Sequence, residues 1–541
     1  MRNLNLKKCI LIGLLIIVQP VFAKPVQKHR AVKPVKKVVV APSTRKTEPV
    51  KFYTSTTNNA IRQQISSALG LLKSGQYPQA ANSLLSLSRK SALESERSQI
   101  KYLLGLSLME MNLNQVAAFQ FVDVIKNGDQ RWTRQAIEKL LIVTDRLGDE
   151  TLLNYAIQRI DVSQVPTQNR DMLYFRLAEI KQKAGLFQEA AQLYGKVGSQ
   201  SRYYYSALYG RGLAQAEAKQ PDLALESFQK LLDSRDGAKI TDPNRVAAQM
   251  ALARTYYQKH DWDKSIEAYA KIPRDHVMWH DALFEKTWAM LRAARFRSTL
   301  SNFQTLHSTY YEDAYIPETL LLRGIVYLYI CKYDEMEKVI ELYESQYGPA
   351  EKKINQFLSS KSAADSYFVE VNKAFLMKKD SEVKKTFSLP YNVIKRIAEE
   401  GDVRRSYNYL KRLMDEKKLI DENPNFRGNP IGIYASRIIN NRIRSSKNVV
   451  GDMVKAHMLN MRGELKDLNE QASFIRYEMI NGRKEFLKKK LSGKILEEQP
   501  VDEANDRAFY VQNGYEYYPF QGEYWLDEVG NYHYLGKQSC E

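Results

Sequence analysis

The chain has 541 residues, 44% of them hydrophobic, and a formal charge of +19. The apolar fraction is that of a folded protein, and the length exceeds what one compact core holds, so an elongated array or several domains are expected. Three cysteines, Cys9, Cys331 and Cys540, show no metal-type spacing and no small-protein disulfide framework.

Residues 1–23 read as a signal peptide. Arg2, Lys7 and Lys8 precede the ten-residue apolar run Cys9 to Val18, and Val21-Phe22-Ala23 fits a small-residue cleavage site. The run is about half of what a membrane-spanning helix needs. Cys9 precedes the run and is misplaced for a lipoprotein cysteine. Removal of the segment would leave Cys331 and Cys540, and both states of that couple, paired and free, stay open. Residues 24–57 are a linker. Pro25, Pro34, Pro42 and Pro49 recur there, and residues 24–51 hold nine Lys or Arg against one Glu. Proline removes backbone donors and favours extended chain, so a solvated basic arm is expected. Contact of that arm with an anionic membrane or cell-wall polymer fits its charge. Nucleic acid is not expected as a partner of an exported chain.

Residues 58–350 repeat. Gly75, Tyr77, Ala80 returns as Gly185, Phe187, Ala190, and looser copies end at Ala117, Ala224, Ser265, Thr299 and Met336. Successive anchors lie 37, 73, 34, 41, 34 and 37 residues apart, the 73 covering two units. A period near 34 predicts about eight stacked helix–turn–helix units, none able to bury its apolar face alone. The small residues Gly105, Ala178, Gly212 and Gly324 are expected to let the two helices of a unit approach closely, with Ala190 and Ala224 doing so from the other side. Residues 132–160 (Trp132, Ala136, Leu140, Tyr155, Ile160) have the right length and a poor consensus.

Residues 351–445 are expected to be helical, with breaks at Pro390, at 421–424 and at 428–430. A long coiled-coil-like helix is predicted over 446–495. Apolar or small residues alternate by four and three at Val454, Met458, Met461, Leu465, Leu468, Ala472, Ile475, Met479, Gly482 and Phe486. The seam pairs either with a second chain or back on residues 351–445. Its three Met, an Ala and a Gly make a weakly specifying dimer interface, which favours the second. Residues 506–541 are an aromatic tail. Asn513-Gly514 between aromatic runs predicts a β-hairpin, with a second turn at Asp527 to Gly530. Tyr524 and Trp525 are its candidate docking residues.

The repeat units carry a bulky residue, a small residue four on, and Ala-x3-aromatic in the second helix. Examples are Tyr174, Ala178, Ala190, Tyr194 and Leu208, Gly212, Ala224, Phe228. In this the region resembles the tetratricopeptide repeat (TPR) family. The resemblance implies an all-α fold: a TPR-type superhelix, then a helical region with one long helix, then the small hairpin tail. It also implies a concave groove that binds proteins, with Tyr102, Tyr209, Met250, Arg254 and Tyr257 as candidate groove residues. The tail, with Gly522-Glu523-Tyr524-Trp525 and Asp527-Glu528-Val529-Gly530, resembles the ends of envelope TPR proteins of bacterial gliding-motility machinery. That implies an exported protein, periplasmic or associated with the outer envelope, whose partners are other envelope proteins.

No catalytic motif stands out. There is no Gly-x-Ser-x-Gly elbow and no phosphate loop, and the i,i+4 histidines His276 and His280 lack the glutamate of a zinc-protease motif. A lysozyme-like domain behind a superhelix would need more mixed fold than follows residue 350. No enzyme, cofactor or metal is expected. The leading expectation is a non-catalytic envelope scaffold of a motility or transport machine. The alternative is a cell-wall coordination protein that links peptidoglycan enzymes to an envelope complex.

Overall fold

The computed structural model describes residues 56–127, 130–148, 151–157, 167–234, 242–311, 313–361, 363–377, 387–492, 512 and 524–536. Residues 1–60 and 61–541 form separate units, and the stacked helices belong to the second. Among the described residues the secondary structure is helical and contains no strand.

Eight successive helix pairs come first: α1 Thr56–Lys73 with α2 Tyr77–Ser88, α3 Arg97–Glu110 with α4 Asn114–Asn127, α5 Gln130–Leu147 with α6 Thr151–Ile157, and α7 Thr167–Lys183 with α8 Phe187–Gly195. Then come α9 Tyr204–Glu217 with α10 Pro221–Leu232, α11 Asp242–Gln258 with α12 Trp262–Ala270, α13 Trp279–Arg292 with α14 Phe296–Leu306, and α15 Pro317–Tyr329 with α16 Tyr333–Ser360. The seven anchors Ala80, Ala117, Ala190, Ala224, Ser265, Thr299 and Met336 are all fully buried. Thr299 and Met336 thus fill the small-residue position without leaving the core.

A close contact of a small with a large residue recurs sixteen residues apart in several pairs. Gly324, expected to seat its own second helix, does not follow: a Cβ there would meet only the distant Ile475, 3.9 Å away. Gly105 faces Phe121 and Gly212 faces Phe228 so closely that a Cβ on either glycine would lie 2.6 and 2.4 Å from the ring. The same interval joins the buried residues Ala68 and Leu84, Ala178 and Tyr194, Ala253 and Tyr269, and Thr287 and Phe303. A small residue on the first helix therefore seats a large one on the second, which packs the pair at interior density. The turns repeat as well. Gly75, Asn112, Gly185, Lys219, His260, Ala294 and Cys331 each take a left-handed conformation (φ 55–77°) two residues before a second helix. Only two of the seven are glycine. The poor-consensus unit packs through Ala136 and Leu140, both buried, while Trp132 lies 5.3 Å from Tyr102. The side chains of Tyr155 and Ile160 lie outside the described residues.

The chain then turns back on the array. Helices α17 Ala364–Leu376, α18 Tyr391–Glu399 and α19 Gly401–Glu422 lead into α20 Pro430–Leu491, which is 62 residues long. At 1.5 Å per residue it spans about 93 Å. It starts after Asn429-Pro430, with proline at the first helical turn, where a missing N–H costs nothing. One hydrophobic core joins its first turns and α19 to the first repeats: Tyr409, Leu413, Ile431, Ala435 and Ile439 pack with Leu84, Leu104 and Phe121. Polar contacts secure the junction. Ile431 N–H donates to Asn82 Oδ1 (3.0 Å), Gln120 Nε2 to Tyr434 Oη (2.6 Å), and Tyr409 Oη to Gln115 Oε1 (2.7 Å). Gly451 lets α20 pass so near α17 that a Cβ would fall 2.0 Å from the carbonyl oxygen of Ala364.

Toward the other end, Val454, Met458, Met461, Leu465, Leu468, Ala472, Ile475 and Met479 are all buried. The seam is thus spent inside the chain: α20 packs against α15, α16, α17, α18 and α19. A single helix ties the first repeats to the last.

Candidate functional site

The first helices of successive pairs present a polar ladder. Arg254 on α11 donates from Nε and Nη2 to the two carboxylate oxygens of Glu285 on α13 (2.7 and 2.5 Å). Tyr269 Oη donates to the same carboxylate at 2.8 Å. Burial works against the guanidinium charge, but Glu285 outweighs it and the pKa of Arg254 rises above its ordinary value. A bidentate, half-buried pair of this kind is rigid and oriented. Tyr209 lies half-buried beside it, with its ring 6.1 Å from Phe228, and burial pushes its phenol up. Tyr257 sets its ring edge-on to Trp262 at 5.0 Å, and the guanidinium of Arg292 lies 5.3 Å from the Trp262 ring.

Of the five groove candidates, Tyr209, Arg254 and Tyr257 therefore come together on one ladder. Tyr102 and Met250 do not. Tyr102 is clamped between Phe121 and Trp132, and Met250 is fully buried in the core shared by α10, α11 and α12. The position one past the bulky site turns inward at these two repeats because the neighbouring pair covers it. The spacing rule also passed over two groups. Lys286, next to Glu285, has no ion pair among the described residues, and burial draws its pKa down. Glu318 on α15 is held up to about 7 by burial, with the Glu464 carboxylate adding to it. Neither has a sequence signal, since both lie on ordinary polar helix positions.

The tail forms the second candidate site, and it is not a hairpin among the described residues. Residues 524–536 are a turn laid on α13 and α14, and Asn513-Gly514 lies outside the described residues. Backbone groups that a partner strand would satisfy go to side chains of the array instead. Arg274 Nη2 donates to the carbonyls of Leu526 and Asp527 (2.7 and 2.9 Å), and Arg297 Nε donates to that of Gly536 (2.9 Å). Gly530 N–H donates to Thr305 Oγ1 (3.0 Å) and Tyr534 N–H to Ser301 Oγ (2.8 Å). The turn at 526–530 falls where the sequence placed one. Gly530 has φ +98°, and a Cβ there would lie 3.0 Å from the Trp279 ring. Val529 is buried as the plug. Tyr524 is engaged with the array: its carbonyl accepts from Tyr310 Oη (3.3 Å) and its hydroxyl from Gln304 Nε2 (3.4 Å). Trp525 stays 64% exposed.

The two histidines do not share a helix face. Helix α13 starts at Trp279, so His276 lies in the turn after Pro273, where its Nδ1 accepts from Met278 N–H (3.1 Å). The His280 ring lies tilted against that of Tyr311 at 4.3 Å, and burial lowers its pKa to about 4. No group of three His, Cys, Asp or Glu able to hold a metal occurs among the described residues. No described helix is long and apolar enough to cross a membrane.

Stacked antiparallel pairs, several wedged by a small residue, define an α–α repeat array. Within it, residues 175–239 match the tetratricopeptide repeat family model. Among solved structures the chain is similar to a tetratricopeptide repeat protein from Parabacteroides merdae, at 16% identity over 53% of this chain and 93% of that one, with a TM-score of 0.24. It is similar also to a Rap protein complexed with competence and sporulation factor (10% identity, 73% and 99% coverage, TM-score 0.25) and to the TPR domain of P58(IPK) (12% identity, 71% and 99% coverage, TM-score 0.18). No curated protein matches the sequence. A repeat array of this class is an interaction scaffold that binds other proteins.

Proposed function

We propose that the protein is a non-catalytic scaffold of the cell envelope, part of a motility or transport machine, that holds protein partners on its repeat ladder and at its docked tail. The ladder carries the reading. It fixes Arg254 against Glu285 with the rings of Tyr209 and Tyr257 packed on Phe228 and Trp262, and Lys286, next to Glu285, has no ion pair among the described residues. Tyrosine and arginine are among the residue types that dominate protein interfaces. Lys286 would take a carboxylate of the partner, and Arg254 would serve as a fixed wall rather than a ligand, because Glu285 already occupies it. The envelope location is supported by the signal-like residues 1–23 and by a disulfide bond at Cys331, a bond that persists in oxidising compartments. Trp525 offers the second contact.

The test is crosslinking in intact envelopes followed by purification of the tagged chain. Components of a motor or transport complex should be enriched, and Lys286→Glu should deplete them at least tenfold while leaving the helical signal unchanged. Recovery of peptidoglycan synthases or hydrolases in their place would favour the cell-wall reading. Recovery of the same partners with Lys286→Glu would remove the ladder from the interface.

A further inference from the structure

The second half of α20 stands where the first helix of a ninth pair would stand. It advances in the same direction as α15: Glu464 lies beside Tyr315 and Glu318, and Ile475 faces Gly324 further on. It runs opposite to α16: Asn469 meets Tyr343 (2.8 Å) and Glu351, Arg476 pairs with Glu344 (3.0 Å), and Arg483 pairs with Asp334 (2.8 Å) and Glu337 (3.2 Å). Parallel to the preceding first helix and antiparallel to the preceding second helix is the relation that every first helix holds in such an array. Each of those is then covered by its own second helix, because no unit buries its apolar face alone. Helix α20 has no such cover among the described residues.

The uncovered place is a groove of about 570 Å³ between α16 and α20. On the α20 wall Ile480, Leu487 and Leu491 form a stripe beside the buried seam, and they are 57%, 49% and 88% exposed. Lys484 stands within that stripe and has no ion pair among the described residues. Among the described residues Lys488 pairs only with Glu485 of its own helix (2.8 Å). The α16 wall carries Glu341, which has no ion pair among the described residues. The groove therefore has an apolar and basic α20 wall facing an acidic α16 wall.

We infer that this groove receives an amphipathic α-helix of a partner protein, seated as the missing second helix. The helix would lay an apolar stripe on Ile480, Leu487 and Leu491 and turn carboxylates toward Lys484 and Lys488. Helix-in-groove binding of this kind reads i, i+3, i+4, i+7 anchors, and the charged walls set orientation. An anionic lipid surface fits less well, since Glu337 and Glu341 face the same concave space. The inference rests on the scaffold reading only in taking the ligand to be a protein, and its test does not depend on the envelope location.

Two labelled synthetic helices serve as probes for the full chain: one with leucines on one face and glutamates along a flank, and a twin with lysines in place of the glutamates. Fluorescence anisotropy should show the glutamate helix binding at least tenfold tighter than its twin. Lys484→Glu with Lys488→Glu should reverse that preference, and Ile480→Ser with Leu487→Ser should abolish binding of both. All four positions are exposed, so thermal melts should be unchanged. Equal binding of the two helices would overturn the inference. So would binding that survives the Ile480 and Leu487 changes. It would equally be overturned if binding appeared only after residues 493–523 are replaced by a Gly-Ser linker, since the chain would then fill its own groove. Sedimentation with phosphatidylglycerol vesicles, lost in the lysine variants without any helix binding, would assign the patch to lipid instead.

Discussion

Gly212→Ala puts the wedge between α9 and α10 to a direct test. The new Cβ would lie 2.4, 2.7 and 2.8 Å from three atoms of the Phe228 ring. Carbon atoms in contact sit about 3.5–4.0 Å apart, so the helices α9 and α10 must part by about 1 Å or the ring must retreat. The ring is fully buried, and Tyr209 of the same α9 also packs against it, so a retreat would disturb the surrounding core. Overpacking of this kind costs about 1–3 kcal/mol. Alanine returns about 1 kcal/mol of helix propensity over glycine, which leaves a net loss of about 1 kcal/mol. Gly463→Ala is the control. Gly463 lies on an exposed face of α20 with nothing within 4 Å, so that change should stabilise by about 1 kcal/mol. On a Phe228→Leu background the ring atoms are gone, and Gly212→Ala should turn from unfavourable to favourable. Urea unfolding of the full chain, with hydrogen exchange resolved on α9 and α10, reads the effect even where the array does not unfold in one step. If Gly212→Ala stabilises as much as Gly463→Ala on the wild-type background, the glycine–ring contact does not set the helix spacing.

Ala294 holds a left-handed turn conformation (φ 55°) at a cost that glycine avoids, so Ala294→Gly should stabilise by about 0.5–1 kcal/mol in the same assay, and a loss would contradict the turn geometry. Burial pushes the Glu416 carboxyl up to about 8, even though it accepts the N–H groups of Gln115 and Asn114. A folded pKa raised above the unfolded one contributes stability that is full below about 4.3 and is lost as pH rises through the folded value. Glu416→Gln should therefore match the wild type at pH 4 and exceed it by about 1–3 kcal/mol at pH 9, and a difference that does not change with pH would refute this. His307 should act in the opposite sense. Its Nδ1 accepts from Arg323 (3.3 Å) and its ring lies opposite Thr319 (2.8 Å), and burial, then Arg323, lowers its pKa to about 3. Its stability is present above about 6.5 and is lost as pH falls toward 3, so exchange protection of α14 and α15 should fail first on acidification, and uniform loss along the array would argue against it. Cys331 is disulfide-bonded, and reduction should lower stability by about 2–4 kcal/mol, while a melt unmoved by reductant would show that the bond bears no load.

Much of the array was legible in the sequence because its rules are local. The small residue four after a bulky one, the period near 34 and the four-three seam of α20 are all read from spacings inside one helix or between neighbouring helices. Side chains that close together have few ways to pack. The placement of the five groove candidates was legible only in part. A position one past the bulky site faces the groove only if the neighbouring unit leaves it open, and at Tyr102 and Met250 the neighbours do not. The i,i+4 spacing of His276 and His280 means one face only inside a helix, and that helix starts at Trp279.

The sequence alone determined that paired helices would form and stack, since the units are short, repeated and unable to bury their apolar faces singly. Only the tertiary structure decided that α20 turns its seam inward and bridges first repeats to last, that the tail lies on α14 as a turn, and that a groove forms between α16 and α20. Those choices depend on matching surfaces hundreds of residues apart, such as Asn82 with Ile431 or Arg274 with Leu526. No local spacing encodes which distant surface a side chain will meet.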